Sequence, residues 1–379
     1  MSQHIPTTFL TGATGLLGHY VLRDLLLKGR RVVAMLRPPI DGARERLGDL
    51  LSPLGINLDA YVDDDRLVLV EGALPDELPS PTWGKTDEIV ACAASLQLLS
   101  NGNLEPQKTN VLGTQELLRW ADRHAVRNLH AVSTAYVCGF TSSVVREEFH
   151  RTEPTFQTDY ERTKWIAESM LHKWATQPGR ILTIYRPSFL VGDSTTGYTT
   201  QFNGFYQAAR LISILKEQHK GHNGDLTYIP LRIPARPETP FQNLVPVDYA
   251  SQVIAEVVCE PRFHGRIYHL TDPAPPRFSD FKSCMEEYFG LHGGYFADAR
   301  DMSKDMSTAE SLLWEKYDLL MPRIQHTPNF DCTNVHDVLT AMGMTFPVID
   351  RDRFFTLLDY AESKGWGTKS NGRLARSHS

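Results

Sequence analysis

The chain alternates between short apolar runs and longer segments in which apolar residues recur every three or four positions. Apolar runs of strand length occur around Phe9 and at residues 31–36, 66–70, 87–94, 129–132, 181–188 and 266–270. After the first run, Leu17, Val21 and Leu25 share one helical face, and Gly29 stands where a helix would end. Strands that alternate with helices predict an α/β fold, a Rossmann-type doubly wound parallel sheet.

Three glycines, Gly12, Gly15 and Gly18, lie between the first predicted strand and the first predicted helix. Here the first glycine allows a tight turn, the second lets the backbone approach a pyrophosphate, and the third lets the helix pack on the strand. Glycines at this spacing also occur for steric reasons alone. The small residues Ala93 and Ala94 end the fourth predicted strand, where backbone would lie beside a cofactor or pack on a helix.

The second predicted strand is followed by Arg37, with no acidic residue until Asp41. In dinucleotide folds an Asp or Glu here accepts from the 2′-hydroxyl of NAD, whereas an arginine pairs with the 2′-phosphate of NADP. Arg44 and Arg46 on the next predicted helix are close enough to bind the same phosphate as Arg37. The sequence therefore predicts NADP(H) as the cofactor; the alternative is that these arginines are simply solvated.

A predicted helix at residues 158–168 carries Tyr160 and Lys164 one turn apart on the same face. Because a neighbouring ammonium favours the phenolate, we expect the pKa of Tyr160 to lie below its usual value of about 10. Such a tyrosine can protonate an oxygen as hydride reaches the carbon. Ser133 and Thr134 directly follow an apolar strand, where ligands bind in parallel sheets. The alternatives are a surface helix pair and hydroxyl residues that form a turn.

Composition narrows the possible functions. The formal charge of −6 over 379 residues offers no basic patch for nucleic acid, and no apolar run approaches the ~18 residues of a membrane span. The five cysteines include no CxxC pair, and the acidic run at 63–65 is interpreted as a surface turn, so no metal site is expected. The first strand begins within ten residues of Met1, which leaves no room for a signal peptide and predicts a cytoplasmic protein.

Six motifs resemble those of the extended short-chain dehydrogenases/reductases in order and spacing, and the resemblance covers nearly the whole chain. They lie at residues 11–18, 110–114, 133–137, 160–164, 186–188 and 245–248. Within that superfamily the chain is most similar to the thioester reductase and fatty acyl-CoA reductase branch. That similarity lies in residues 35–37, 46–47, 192–197, 330–334 and 365–366.

The resemblance implies roles for individual residues. Thr134 would polarise the substrate oxygen, Tyr160 would donate the proton, and Lys164 would bind the nicotinamide ribose and tune Tyr160. The implied cofactor-binding residues are Gly12, Thr14, Gly15, Leu16, Leu17, Arg37, Arg46, Leu74, Ala93, Ala94, Tyr160, Lys164, Pro187 and Phe189. Ala73 stands where the family usually has an aspartate that contacts adenine, which puts that contact in doubt.

The expected domain organisation is a large dinucleotide-binding domain with a smaller, mostly helical C-terminal lobe. The NADP-binding domain would comprise residues 1–191 and 243–272, the substrate-binding lobe residues 192–242 and 273–366, and a disordered tail residues 367–379. Phe205 and Tyr206 belong to an aromatic stripe in the lobe that would serve as core or as substrate pocket. Residues 302–321 predict a further amphipathic helix.

The function expected from these features is NADPH-dependent reduction of a carbonyl group. The substrate implied by the resemblance is an acyl thioester, on coenzyme A or on a carrier protein, reduced to an aldehyde or an alcohol. A reductase or dehydrogenase of a ketone or secondary alcohol would use the same catalytic residues. A sugar-nucleotide epimerase is disfavoured because such enzymes usually hold NAD, whereas Arg37 favours NADP. A regulatory protein without activity is disfavoured because Tyr160 and Lys164 are both present.

Overall fold

The computed structural model describes residues 5–76, 78–141, 143–219, 227–298, 306–307, 310–311 and 328–367. The chain divides into two compact units. Unit 1 comprises Met1–Leu190, Asn243–Ala274 and His326–Pro347, and unit 2 comprises Val191–Gln242, Pro275–Gln325 and Val348–Ser379. The helix predicted at 302–321 and the tail predicted from residue 367 fall outside the described residues, except for a few positions.

The strands and helices alternate through most of unit 1. The strands are β1 (Thr7–Thr11), β2 (Arg31–Leu36), β3 (Leu67–Glu71), β4 (Glu88–Ala91), β5 (Asn128–Val132), β6 (Ile181–Pro187), β7 (Phe189–Val191), β8 (Thr227–Tyr228), β9 (Arg232–Ile233), β10 (Leu244–Pro246), β11 (Ile267–Leu270), β12 (Leu291–His292) and β13 (Tyr295–Phe296). The helices are α1 (Leu16–Leu27), α2 (Ile40–Leu51), α3 (Leu58–Asp63), α4 (Gly113–Arg123), α5 (Asp159–Ala175), α6 (Phe205–His219), α7 (Val247–Cys259), α8 (Phe278–Phe289), α9 (Thr333–Met342) and α10 (Arg351–Ser363).

Unit 1 is built on a seven-stranded sheet with the order β11-β6-β5-β4-β1-β2-β3. Every neighbouring pair is parallel. The strand order reverses between β1 and β4, whose last residues Thr11 and Ala91 are paired. Ligands of doubly wound sheets bind at such a reversal, outside the carboxyl ends of the strands. The predicted Rossmann-type parallel sheet is confirmed.

The sheet is flanked by helices, and its core is strongly apolar because the strands are covered on both faces. Phe9 and Val33 are fully buried in the central strands. Trp120 on α4 is also fully buried, stacks on Phe9 with ring centroids 4.6 Å apart, and donates through its indole N–H to the Pro79 carbonyl at 2.9 Å. α1 packs on α7, and α4 packs on α5. This packing fixes the amino ends of α1 and α5 near the carboxyl edge of the sheet.

Residues His326–Pro347 belong to unit 1, whereas the sequence interpretation placed 273–366 entirely in the second lobe. The reason is local packing: α9 contacts α7 and β11. Val145 and Phe330 form a β-bridge, and the Glu147 carboxylate accepts the Asn334 backbone N–H at 2.6 Å. The same carboxylate accepts the His269 backbone N–H at 2.8 Å.

Unit 2 combines α6, α8 and α10 with the short pairs β8–β12 and β9–β13. Phe205 and Tyr206 of the predicted aromatic stripe are buried. Phe205 contacts Phe281 and Phe354, with ring centroids 6.2 and 5.3 Å apart, and so forms part of the hydrophobic core. In the part of the chain that the structure describes, none of the helices combines the length and hydrophobicity needed to cross a bilayer.

Candidate active site

The glycine loop between β1 and α1 makes a close backbone approach to the end of β4. Gly12 has φ +77°, and a Cβ atom built on it would lie 2.6 Å from the Ala93 nitrogen. A Cβ on Gly18 would collide with the Gly12 carbonyl. The Gly15 N–H donates to that carbonyl at 2.9 Å, which closes the turn. Two of the three glycines are therefore required by the local backbone, whatever the loop binds.

The amino end of α1 follows this turn at Leu16, with Gly15 as its N-cap. Gly15 offers no side-chain cap, and no acidic residue lies in the first turn. A helix start with these properties presents backbone N–H groups and the positive end of its dipole to an anion. Leu16 and Leu17 are buried and anchor the helix, while Thr14 is half-buried in the turn.

Ala93 lies directly against the glycine loop at the reversal of strand order. Its N–H donates to the Thr11 hydroxyl at 3.2 Å, which ties the segment after β4 to the end of β1. Ala94 follows and is half-buried. Leu74, after β3, packs on the hydrophobic core, and a Cβ on Gly113 would lie 3.0 Å from its Cβ.

The three arginines after β2 differ in their surroundings. Arg37, Arg44 and Arg46 are all exposed. Arg44 forms an ion pair with Asp59 at 2.7 Å. Arg46 lies close enough to His19 to contribute, after burial, to lowering the pKa of that imidazole. His19 is in the first turn of α1, so the Arg46 guanidinium is within electrostatic range of that turn.

Thr134, Tyr160 and Lys164 come together at the carboxyl end of β5. A side-chain hydrogen bond joins Thr134 and Tyr160. The Lys164 ammonium donates to the Val132 carbonyl at 2.8 Å, at the last residue of β5. Thr158 caps α5 by accepting the Glu161 N–H, and the Tyr160 N–H donates to the Leu98 carbonyl at 3.2 Å. These contacts fix the first turn of α5 on the sheet edge.

The protonation of Tyr160 differs from the sequence expectation. Burial, with a smaller contribution from the Glu161 carboxylate, raises the pKa of Tyr160 to about 12, although the Thr134 hydrogen bond opposes this. The expected fall toward neutrality was wrong, because desolvation of the phenolate outweighs the Thr134 hydrogen bond, the contribution that lowers the pKa. Burial also lowers the pKa of Lys164 to about 8. Tyr160 is therefore a neutral phenol at physiological pH, the form that can give a proton.

Pro187 and Phe189 extend this group of residues along the end of β6. The Thr134 hydroxyl donates to the Pro187 carbonyl at 3.4 Å. The Phe189 ring lies 5.1 Å from the ring of Tyr136, whose hydroxyl hydrogen-bonds with Ser188 at 2.9 Å. The end of β6 and the turn after β5 thus form one continuous wall beside Thr134.

Three polar residues that were not among the predicted catalytic or cofactor-binding residues hold this wall in place. Asn110, in a π-helical turn, donates to the Ser95 carbonyl at 3.1 Å and to the Thr163 hydroxyl at 3.0 Å, so it links the segment after β4 to α5. Glu168 and Arg186 form a buried ion pair with an N–O distance of 2.7 Å. The spacing of Glu168, four residues after Lys164 on the same helix, was the signal available in the sequence.

The site fits the dinucleotide that the sequence implies. The start of α1 presents backbone N–H groups to an anion and carries no competing carboxylate. The carboxyl ends of β1 and β4 meet there. Among the described residues, no cluster of three or more potential metal ligands occurs.

Unit 2 contains an apolar cavity of about 200 Å³. Aromatic and aliphatic side chains supply most of its wall, among them Phe205, Phe281 and Met285. Two ion pairs contribute the polar part: Arg232 with Glu310 at 2.8 Å, and Lys282 with Glu286 at 2.6 Å.

Comparison with known proteins places the chain in a family. Residues 10–254 match the NAD-binding family described as "Male sterility protein". The chain is 26% identical to the nonribosomal peptide synthetase FrzA of a Cladobotryum species, over 94% of this chain and 36% of FrzA. It is also 26% identical to aldehyde reductase lnaA of Aspergillus flavus, over 97% of this chain and 37% of lnaA. The chain thus spans little more than a third of the length of these relatives.

A solved structure with a similar fold is the terminal R domain from the myxalamid PKS-NRPS biosynthetic pathway. Its TM-score against this chain is 0.78 at 24% sequence identity, and the match covers 97% of this chain and 92% of that domain. At this identity the likeness shows the fold.

Proposed function

The chain belongs to the male sterility protein family, within the extended short-chain dehydrogenases/reductases, and is an oxidoreductase; on that premise we propose that it reduces an acyl thioester to an aldehyde with NADPH. The observation that carries the proposal is the hydrogen bond between Thr134 and Tyr160, at the carboxyl edge of a Rossmann-type parallel sheet. Lys164 lies one turn further along α5. The similarity to aldehyde reductase lnaA over 97% of the chain supports the reduction of a carbonyl group.

For the cofactor we assign the pyrophosphate to the loop from Gly12 to Leu17 and the adenosine 2′-phosphate to Arg37 and Arg46. The exposed guanidinium groups are available to a phosphate, and Arg46 lies toward the first turn of α1. Arg44 is given a lesser part because Asp59 already pairs with it. Ala93, Ala94 and Leu74 would border the nucleotide, and Pro187 and Phe189 the nicotinamide.

Bound NADPH supplies a hydride to the carbonyl carbon of the substrate. Thr134 and Tyr160 hydrogen-bond to the carbonyl oxygen, and Tyr160 transfers its proton to that oxygen as negative charge develops. The neutral state of Tyr160, set by its pKa of about 12, suits reduction because the donor must begin protonated. With a thioester the product is a hemithioacetal, which loses the thiol to give the aldehyde. Lys164 would hold the ribose of the bound cofactor, and its ammonium would supply positive charge near the tyrosinate left behind.

The substrate would be an acyl group on coenzyme A or on the arm of a carrier protein. The similarity to a nonribosomal peptide synthetase supports a carrier-bound substrate.

The test is an NADPH oxidation assay with purified protein and a graded panel of substrates. The panel contains acyl-CoAs of increasing chain length, the corresponding acyl groups on a carrier protein, free aldehydes and cyclic ketones. We expect turnover of thioesters with one NADPH consumed per aldehyde formed. Turnover of ketones without any turnover of thioesters would refute the thioester assignment and favour a ketone reductase.

A further inference from the structure

The Lys164 side chain is a cation that is buried away from solvent. Its ammonium donates to the Val132 carbonyl at 2.8 Å. An ammonium taken out of water loses its proton easily unless a negative charge lies nearby. Burial lowers the pKa of Lys164 to about 8, and the groups that oppose this are the Glu168 carboxylate and, more weakly, the Cys92 thiol. Burial raises the pKa of Cys92 to about 12, so the thiol is neutral and Glu168 is the anion that acts on Lys164.

Glu168 is kept ionised by a partner on the neighbouring strand. Its carboxylate accepts two hydrogen bonds from Arg186 on β6, from Nε at 3.0 Å and from Nη2 at 2.7 Å. Both side chains have almost no exposed surface. Burial opposes ionisation of Glu168, but the guanidinium outweighs it and holds the pKa of the carboxyl below its usual value. Bidentate geometry of this kind gives strong, directional binding of a carboxylate.

The histidines around the Glu168–Arg186 ion pair are neutral and add no charge to it. Arg186 Nη1 donates to the Glu148 carbonyl at 3.0 Å and lies 3.4 Å from ring nitrogens of His150 and His269. Burial, aided by the guanidinium, lowers the pKa of both imidazoles, that of His269 to about 4, so they are neutral neighbours. His172, the other titratable group that acts on Glu168, also has its pKa lowered by burial.

The pair also joins the two elements that carry the candidate catalytic groups. Glu168 lies on α5 with Tyr160 and Lys164, at i+4 from the lysine. Arg186 immediately precedes Pro187, whose carbonyl accepts the Thr134 hydroxyl. The ion pair therefore fixes the distance between the helix that holds Lys164 and the strand end that orients Thr134.

We propose that Glu168, held by Arg186 and one turn beyond Lys164 on α5, is the buried anion that keeps the Lys164 ammonium charged within its buried site. The charges alternate along this arrangement, from the Arg186 guanidinium through the Glu168 carboxylate to the Lys164 ammonium. The consequence for catalysis rests on the proposed reductase function; the effect on Lys164 itself does not.

The direct test is the titration of Lys164 by NMR in protein labelled with 13Cε-lysine, with Lys164→Arg to assign the resonance. In Glu168→Gln the carboxylate becomes a neutral amide of nearly the same shape. We expect the Lys164 midpoint to fall by about one pH unit or more, the range typical of losing a close opposite charge. The matched control is Glu88→Gln. Glu88 is also buried, paired with Arg30, and accepts the Thr8 hydroxyl at 2.7 Å, but it lies at the opposite end of β4 from Cys92.

A second variant covers the case in which Glu168→Gln does not fold, since it leaves the Arg186 cation without its partner. The pair Glu168→Gln/Arg186→Met removes both charges and should still lower the Lys164 midpoint, because Glu168 is the charge that acts on it. An unchanged midpoint in the folded variant, or an equal fall in Glu88→Gln, would overturn the proposal.

Catalysis provides a separate readout. The alkaline limb of the kcat/KM profile should move to lower pH in Glu168→Gln, in parallel with the Lys164 midpoint, and Glu168→Asp should restore it in part. A shift of the Lys164 midpoint in a protein that reduces no substrate of the panel would refute the proposed function and leave this proposal standing. A normal pH profile together with a shifted midpoint would refute the catalytic consequence alone.

Discussion

Replacing Gly12 with alanine should separate the steric demand of the glycine loop from the general cost of a positive φ. Gly12 has φ +77°, and Gly29, at the end of α1, has φ +86°. An L-residue in this region costs roughly 1–2 kcal/mol at either position. The added Cβ meets nothing within 4 Å at Gly29, whereas at Gly12 it would lie 2.6 Å from the Ala93 nitrogen and 2.8 Å from the Ala93 Cα. Gly29→Ala is therefore a matched control.

The extra effect at Gly12 follows from ordinary contact distances. Unbonded heavy atoms pack at about 3.5–4.0 Å, so the loop or the segment after β4 must move by about 1 Å. The obstructing atoms belong to backbone, and the Ala93 N–H is also held by the Thr11 hydroxyl, so neither side yields easily. Overpacking of this kind adds about 1–3 kcal/mol. We expect Gly12→Ala to lower the free energy of unfolding by about 2–5 kcal/mol, against about 1–2 for Gly29→Ala.

The assays are urea denaturation and NADPH binding followed by cofactor fluorescence. Gly29→Ala should bind NADPH with unchanged affinity. Gly12→Ala should bind at least about tenfold more weakly, since a loss of 1.4 kcal/mol of binding free energy has that effect. Equal stability and equal affinity in the two variants would refute the argument that the close approach of Gly12 to Ala93 shapes the cofactor site.

Three further predictions concern other parts of unit 1. Tyr160→Phe should lower kcat by about 10²–10⁴-fold in the NADPH oxidation assay while the Kd for NADPH stays the same; retained turnover would exclude Tyr160 as proton donor. Arg46→Ala should raise the Kd for NADPH about tenfold or more without changing the Kd for NADH. Arg44→Ala should raise the Kd for NADPH less, because Arg44 is already paired with Asp59. Equal effects on the binding of both cofactors would contradict the 2′-phosphate assignment. Burial raises the pKa of Glu147 from 4.5 to about 7, so its contribution to stability is full below pH 4.5 and is lost as pH rises through 7. The difference in free energy of unfolding between wild type and Glu147→Gln should therefore shrink from pH 5 to pH 8. A constant difference in urea denaturation would refute this.

The sequence pattern was sufficient for the seven-stranded sheet because each of its strands is an apolar run bounded by turns. β2, for example, begins and ends where its apolar run does, at Arg31–Leu36. The glycine loop after β1 and the small residues after β4 were expected beside a cofactor, and the structure brings them together at the reversal of strand order, which the sequence pattern did not predict. The strands and the glycine loop depend on residues close together in the chain, which periodicity and turn chemistry can describe.

Features that depend on distant residues could not be predicted in the same way. The pKa of Tyr160 rises because several segments together bury its hydroxyl, and a helical spacing of four residues contains no information about that burial. The pairing of Arg44 with Asp59 joins α2 to α3 and was invisible in the spacing of the arginines. The assignment of His326–Pro347 to unit 1 depends on contacts of α9 with α7 and β11. The roles of the individual site residues stay predictions until the variants above are measured.

The division of the chain has a consequence for engineering by domain exchange. Neither unit is a single stretch of sequence, because the chain passes from one to the other after Leu190, Gln242, Ala274, Gln325 and Pro347. A chimaera that replaced everything after residue 274 would also remove α9 and the Asn334 N–H that the Glu147 carboxylate accepts. A replacement for unit 2 would therefore have to be grafted as three separate inserts, with residues 326–347 retained as part of the host.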